Sequence, residues 1–266
     1  MTMLDHEPSI AASADAEHSA SDWRAPLELK CAQVDCGLHS CTRNISFRAT
    51  DEAMLKRSMS VRNYDRGDQI FSEGDASSGL YCVRSGLVLL SYKDALQSDR
   101  AVRLVGHGDL MGYRSLFAEE HHVTTAEALT DCHICFFPKM LITRLTDTYP
   151  LFSRMLFRNL ARGSGSRNAL FMRDRHLPVK LRLIQFLRMM EKQYGNTSKG
   201  GVRIQLPIMR RQIASLLSAR PESVARAITE LEREGLTVFD RRKVTIPNPG
   251  ALYRILDNAD ERDPPK

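Results

Sequence analysis

Cysteine is the residue type with the richest chemistry in this chain, and its six copies fall into two groups. Three lie near the start with four residues between neighbours, and three lie farther along: Cys31, Cys36 and Cys41, then Cys82, Cys132 and Cys135. Thiolates bind soft metals and iron–sulfur clusters and react with oxidants. The acidic start lacks an apolar run, which predicts a cytoplasmic protein whose thiols stay reduced. Metal binding, redox sensing and core packing are therefore the competing interpretations.

A second group of candidate residues lies within residues 206–246. Two short helical patterns flank the stretch Ser218–Arg220, and Pro221 suits the first turn of the second helix. Two helices across so short a turn predict a helix-turn-helix, whose second helix offers its first residues to base edges in the major groove. The base-reading candidates on its polar face are Glu222, Ser223 and Arg226.

These residue types suit DNA recognition. Arg226 can pair with guanine and Glu222 can accept from cytosine, and each pairing contributes about 1–3 kcal/mol of discrimination. Phosphate contacts, which add affinity without sequence information, are expected from Arg210, Arg211, Arg220 and Lys243. The alternating run after the second helix predicts a β-hairpin wing at 237–246. The competing interpretation is that Glu222 and Arg226 form a surface pair one helical turn apart.

The charge distribution agrees with an anionic partner for the C-terminal part. The net charge is +6, but residues 1–30 hold six acids and two bases, whereas residues 151–190 hold nine bases and one acid. Residues 201–250 hold nine bases and five acids. Nucleic acid is the commonest partner of such a basic region, and a solvated basic face is the alternative.

Two further patterns describe the elements that must position these residues. Short apolar runs separated by glycine turns over residues 61–138 predict an antiparallel barrel or sandwich. A long helix follows, with an apolar stripe that we expect to pack against a second copy of the chain, formed by Leu151, Met155, Leu156 and Leu160. No run of eighteen apolar residues occurs, which excludes a membrane span.

This order of elements resembles the CRP/FNR superfamily of bacterial transcription regulators over about residues 45–255. The motifs that carry the resemblance are Gly67-Asp68, Glu73-Gly74-Asp75, Gly79-Leu80-Tyr81, Ser85-Gly86, Gly108-Asp109 and Glu222-Ser223-Val224-Ala225-Arg226. The resemblance implies a homodimer that binds palindromic promoter sites in double-stranded DNA, contacts RNA polymerase and acts as an activator. It also implies that Glu222 and Arg226 read bases, although Ala225 stands where the FNR branch has serine.

The expected fold class is therefore α+β. It comprises an antiparallel jelly-roll β-barrel similar to cyclic-nucleotide-binding domains, a long dimerisation helix and a winged helix-turn-helix. The expected segments are a cysteine-bearing extension over 1–44, the barrel over 45–148, the dimerisation helix over 149–176, the DNA-binding domain over 177–256 and a tail over 257–266.

The resemblance also bears on the signal. Cyclic-nucleotide binders of this superfamily carry a Gly-Glu pair and, about ten residues later, an Arg-Ser pair. Neither occurs in Met111–Arg114 or His122–Ala126, so cAMP is not expected. The FNR branch instead holds a [4Fe-4S] cluster on three N-terminal cysteines and one barrel cysteine. By resemblance the ligands of an oxygen-responsive cluster here are Cys31, Cys36, Cys41 and Cys135. Core packing is expected of Cys82 and Cys132.

Other interpretations stay open at this point. Zinc, thiol oxidation or no cofactor could replace the cluster in a regulator of the same fold. A metal or iron–sulfur electron carrier is more distant, because it would need neither helix-turn-helix nor wing. The sequence contains no nucleophile elbow, Walker loop, zinc-protease motif or dinucleotide fingerprint, so an enzyme is not expected.

Overall fold

The computed structural model describes residues 45–166, 177–198 and 200–260. The first part of the chain forms α1 (Ala49–Ser58), β1 (Ser60–Tyr64), β2 (Gln69–Phe71), β3 (Gly79–Ser85), β4 (Val88–Lys93), β5 (Asp99–Val105), β6 (Leu110–Met111), α2 (Tyr113–Ala118), β7 (Thr125–Ala128) and β8 (Cys132–Pro138). Two helices follow, α3 (Lys139–Thr148) and α4 (Pro150–Ser166).

The C-terminal part forms α5 (Val179–Tyr194), β9 (Gly195–Ser198), β10 (Gly201–Gln205), α6 (Arg210–Leu216), α7 (Pro221–Arg233), β11 (Val238–Asp240), β12 (Lys243–Ile246) and α8 (Pro249–Asp260). The predicted α+β class is confirmed. No helix in the described ranges is long and apolar enough to cross a membrane.

Two four-stranded antiparallel sheets build the N-terminal domain, with strand orders β1-β8-β3-β6 and β2-β7-β4-β5. Successive side chains of a strand point to opposite faces, so β3 and β8 each serve two cores. Tyr81, Val83, Ile134 and Phe136 face the other sheet, where they pack with residues of β2, β4 and β7. Leu80 and Phe137 lie on the opposite face, which α3 and α4 cover.

Three strands of this domain were not predicted. β1, β6 and β7 are short or largely exposed, so they lack the apolar runs by which the other strands could be recognised. The same holds for β9, whose four residues contain no apolar run. Its polar sequence becomes a strand by pairing with β10, which extends the wing sheet to the order β11-β12-β10-β9.

The apolar stripe of α4 was predicted to pack against a second copy, and in the structure most of it packs within its own chain. Leu156 is 0% exposed within its own chain, and Met155 and Leu160 pack against the same intrachain cluster beneath β3 and β8. Of the four predicted residues only Leu151 is exposed. A helix packed on its own domain buries one stripe there and leaves its other face exposed. That face carries Phe157, which is 56% exposed.

The C-terminal domain shares a core with the barrel. Leu87, Leu89, Ala101, Leu104 and Leu129 of the N-terminal domain belong to the same apolar cluster as the buried residues of α5, α6 and α7. A polar link between the two is the hydroxyl of Ser215 on α6, which donates to the carbonyl oxygen of Ala101 on β5 at 3.0 Å.

Candidate DNA-binding surface and sensor site

The helix-turn-helix follows the predicted bounds. Ile213 and Ala214 of α6, together with Leu217, face inward, and so do Val224, Ile228 and Leu231 of α7. Pro221 is the first residue of α7, where a missing N–H leaves no hydrogen bond unmade. Ser218 takes a positive φ of 49° and turns the chain sharply between the helices.

The buried faces of these helices leave the predicted DNA contacts on the outside. Glu222 and Arg226 are exposed on the first two turns of α7, with Ser223 half-buried between them. The four phosphate candidates, Arg210, Arg211, Arg220 and Lys243, are exposed as well. A second helix that presents an acidic and a basic side chain at its start has the geometry for reading base edges in the major groove.

Three contacts hold α7 in place relative to its neighbours, and sequence reasoning missed them. Lys180 of α5 donates to Glu230 at 2.9 Å and to Glu234 at 2.7 Å. Glu232 accepts from the backbone N–H of Phe239 at 2.8 Å and so joins α7 to the wing. In the sequence, the four-residue spacing of Glu230 and Glu234 could have indicated a shared basic partner. Only the fold shows that this partner is Lys180.

The wing also contacts the start of α6. The guanidinium of Arg210 lies 6.0 Å from the ring centre of Phe239, within the range of a weak cation–π contact. Arg182, a buried residue of α5, donates to the carbonyl oxygen of Leu217 and so satisfies an acceptor at the end of the first helix. These contacts join the helices and the wing into one continuous surface.

The three described cysteines lie on two different faces of β3 and β8. Cys132 belongs to the core between the sheets, and its thiol donates to the carbonyl oxygen of Thr130 at 3.1 Å. Burial raises the pKa of the Cys132 thiol. Cys135 lies on the other face, 1% exposed, in the cluster that α3 and α4 cover. Cys82 belongs to that same cluster.

The chain reaches this face from its N-terminal side. Ile45, Phe47, Met54 and Leu55 pack against the cluster that contains Cys135. Cys31, Cys36 and Cys41 lie outside the described residues. Within residues 45–166, 177–198 and 200–260 no three His, Cys, Asp or Glu side chains come together as a metal site.

A buried carboxylate anchors this N-terminal segment. Asp51 of α1 accepts from Arg144 Nε at 2.6 Å and from the hydroxyl of Tyr149 at 2.7 Å. The same hydroxyl accepts from the backbone N–H of Arg48 at 2.9 Å. The hydrogen bond from Tyr149, followed by that from Arg144, holds the pKa of Asp51 below its usual value. The segment is thereby attached at the junction of α3 and α4.

The barrel residues that would bind a cyclic nucleotide differ from those of cyclic-nucleotide binders. Gly112 takes a positive φ of 78° and leads into α2, but Tyr113 follows where such binders carry glutamate. The hydroxyl of Tyr113 accepts from Arg103 Nη1 at 3.3 Å. Arg103 is a buried residue of β5 that sequence reasoning missed.

Two family models match the chain along its length. The cyclic nucleotide-binding domain matches residues 61–149, and the Crp-like helix-turn-helix domain matches residues 181–255. The chain belongs to the CRP/FNR superfamily. It is a DNA-binding transcription regulator of this type, and the matched families and relatives are regulators rather than enzymes.

The relatives that match the chain include transcription regulators with different names. The chain is 24% identical over 244 residues to the transcriptional activator protein FnrA of Stutzerimonas stutzeri, covering 89% of this chain and 96% of that one. It is 22% identical over 202 residues to the CRP-like cAMP-activated global transcriptional regulator of Mycobacterium tuberculosis, covering 76% and 90%. The structure of FixK2 from Bradyrhizobium japonicum has a TM-score of 0.58 at 21% identity, covering 74% and 96%.

Proposed function

We propose that this CRP/FNR regulator binds palindromic promoter sites as a homodimer and responds to oxygen or a related redox signal through a [4Fe-4S] cluster. The ligands in this proposal are Cys31, Cys36, Cys41 and Cys135. The observation that carries the sensing part is the position of Cys135, on the barrel face against which the segment following the other three cysteines packs. The proposal includes a cytoplasmic location, RNA polymerase as a partner and action as an activator.

The surroundings of Cys135 suit such a group. The thiol lies among Leu141, Leu145, Phe152 and other apolar side chains, which keep water away from a thiolate-bound cluster. When bound, a cluster of this kind supplies a centre that is sensitive to oxygen and redox potential. Asp51 would then attach the segment that follows the extension to the junction of α3 and α4. Through this attachment, a change at the cysteines would reach α4, the helix proposed to form the dimer.

DNA recognition in this proposal rests on the exposed start of α7. Arg226 would pair with guanine and Glu222 would accept from cytosine in each half-site, with Ser223 beside them. Arg210, Arg211, Arg220 and Lys243 would contact phosphates. Leu151 and Phe157 would meet the partner chain on the exposed face of α4. Tyr113 offers an uncharged hydroxyl where cyclic-nucleotide binders carry a glutamate carboxylate. This difference favours the interpretation that the protein does not use cAMP.

The first experiment measures iron, acid-labile sulfide and zinc in protein purified without oxygen, together with the visible spectrum. About four irons and four sulfides per chain, with a colour that bleaches in air, is the expected result. Cys135→Ser should lose iron, whereas Cys132→Ser is the matched control because that thiol faces the other core. Colourless protein with stoichiometric zinc, or with no metal, would overturn the cluster and favour a zinc site or a thiol switch.

A further inference from the structure

Cys82 and Cys135 are direct neighbours across two strands. β3 and β8 run antiparallel, and in their register Cys82 is paired with Cys135, between the pairs Tyr81–Phe136 and Val83–Ile134. Directly paired residues of antiparallel strands point to the same face of the sheet. The two thiols therefore lie side by side although 53 positions separate them in the sequence.

The Cα separation is compatible with a disulfide, and the Cβ atoms, about 4.5–5.5 Å apart in directly paired residues, must approach to about 3.5–4.5 Å to form one. Directly paired Cα atoms in an antiparallel sheet lie about 4.5–5.5 Å apart. Disulfides join Cα atoms about 4.4–6.8 Å apart. Both cysteines are reduced in the structure, and both are buried, at 0% and 1% exposure. The third described cysteine cannot join this pair without refolding the strand, because Cys132 points into the core between the sheets.

We propose that Cys82 and Cys135 form a reversible redox pair, which is oxidised to a disulfide by hydrogen peroxide. One thiol reacts first: its sulfur takes an oxygen from the peroxide, forms a sulfenic acid and releases one water. The other sulfur then attacks the sulfenic sulfur, the S–S bond forms, and a second water leaves. Two thiols and one peroxide thus give one disulfide and two waters, with two electrons passing from sulfur to oxygen.

The position of the pair beneath α3 and α4 affects how fast the two thiols are oxidised and how readily the disulfide is reduced. α3 and α4 cover both sulfurs, so oxidation is slower than at an exposed thiol, because the oxidant must first pass between the packed side chains. Peroxide is small and uncharged, which favours its entry over that of larger reagents. The backbone ladder on both sides restricts how far the two Cβ atoms can adjust, and constrained disulfides are reduced readily.

The pair would also compete with a cluster for Cys135, a consequence that rests on the proposed function. Cys135 cannot ligate a metal while it is bonded to Cys82, so the cluster-bound and disulfide states exclude each other. The pairing itself needs no cluster, because it follows from the strand register alone. A protein without iron would leave this inference standing.

Peptide mapping of the full chain with Cys31, Cys36 and Cys41 replaced by serine tests the pairing without iron. The reduced protein is treated with hydrogen peroxide, quenched, unfolded in guanidinium with iodoacetamide and digested with trypsin. We expect a cross-linked product of peptides 67–84 and 115–139, with Cys132 alkylated and the cross-link lost on reduction by dithiothreitol.

Matched variants decide the assignment. In the same background Cys132→Ser should keep the cross-link, and Cys135→Ser should abolish it. Cys82→Ser and Cys82→Ala should each abolish it too, with circular dichroism showing that they fold. Recovery of alkylated Cys82 and Cys135 after peroxide treatment would overturn the redox pair, as would a cross-link that survives Cys135→Ser.

Discussion

At the scale of single residues, the proposed DNA surface has two kinds of side chain, those proposed to read bases and those proposed to hold phosphates. Arg226 is one helical turn after Glu222 on the exposed side of α7, whereas Arg211 belongs to the helix before it. A contact to a base edge affects one sequence position, and a contact to a phosphate affects all sequences alike. The two kinds of residue therefore differ in what their removal changes.

Replacement of Arg226 by alanine should relax the preference at one base pair of each half-site by about 1–3 kcal/mol. Replacement of Arg211 should weaken all sites alike and reduce the slope of log affinity against log salt by about 0.9 per lost contact. Binding titrations on single-base variants of the site at several salt concentrations measure both effects. Arg254→Ala, on α8, is the control, and an unchanged base preference in Arg226→Ala would refute the assignment.

The carboxylate of Asp51 gives a pH-dependent contribution to stability. Its pKa in the folded protein is lowered, so the stabilisation is present above the unfolded-state value of about 3.9 and is lost as the pH falls through the lower folded-state value. Asp51→Asn should melt below the wild-type protein at pH 7, and the difference should shrink as the pH falls below about 4. Thermal melts over this pH range measure it, with exposed Asp147→Asn as the control. A difference that stays constant with pH would argue against an ionised Asp51.

At the scale of elements, α4 has one face that packs inside the protomer and one face that is exposed. Leu156 and its neighbours pack under the barrel, whereas Phe157 is exposed beside Phe117 of α2, with the ring centres 6.0 Å apart. Two exposed aromatic rings at this distance form an apolar patch suited to burial against a second copy. The proposed dimer therefore uses the face opposite to the one that the apolar spacing suggested.

Phe157→Glu should dissociate the proposed dimer without unfolding the protomer, because it places a charge on the exposed face only. Leu156→Ala should instead reduce the free energy of unfolding by about 2–5 kcal/mol, as a buried leucine deletion does. Sedimentation velocity over a concentration series and urea unfolding distinguish the two effects. Met140→Glu, on an exposed position of α3, is the control, and a Phe157→Glu protein that stays dimeric would place the interface elsewhere.

At the scale of the whole molecule, the shared core couples the barrel to the helix-turn-helix. Ala101 of β5 is buried in that core, and its carbonyl oxygen accepts from Ser215 of α6. The first helix of the DNA-binding unit thus rests directly on a strand of the barrel. This contact links the barrel to α6 directly, at a place separate from α4.

Ala101→Glu should separate the two domains, because it puts an unpaired charge into their shared core. Calorimetry should then resolve two melting transitions, where a protein with a continuous core melts in one. Val102→Glu is the matched control, since Val102 is the next residue on the same strand and is 42% exposed. A single unshifted transition in Ala101→Glu would show that the contact does not couple the domains.

The sequence alone determined the helix-turn-helix, its DNA candidates and the broad order of barrel, helix and wing. These depend on local patterns: helical spacing of apolar residues, a proline at the first turn of α7 and short apolar runs between glycines. The tertiary structure decided that Leu156 packs inside its own chain, that Cys135 and Cys132 face different cores, and that Cys82 is paired with Cys135. Strand register and helix packing join residues far apart in the chain, and no local pattern specifies which of them meet.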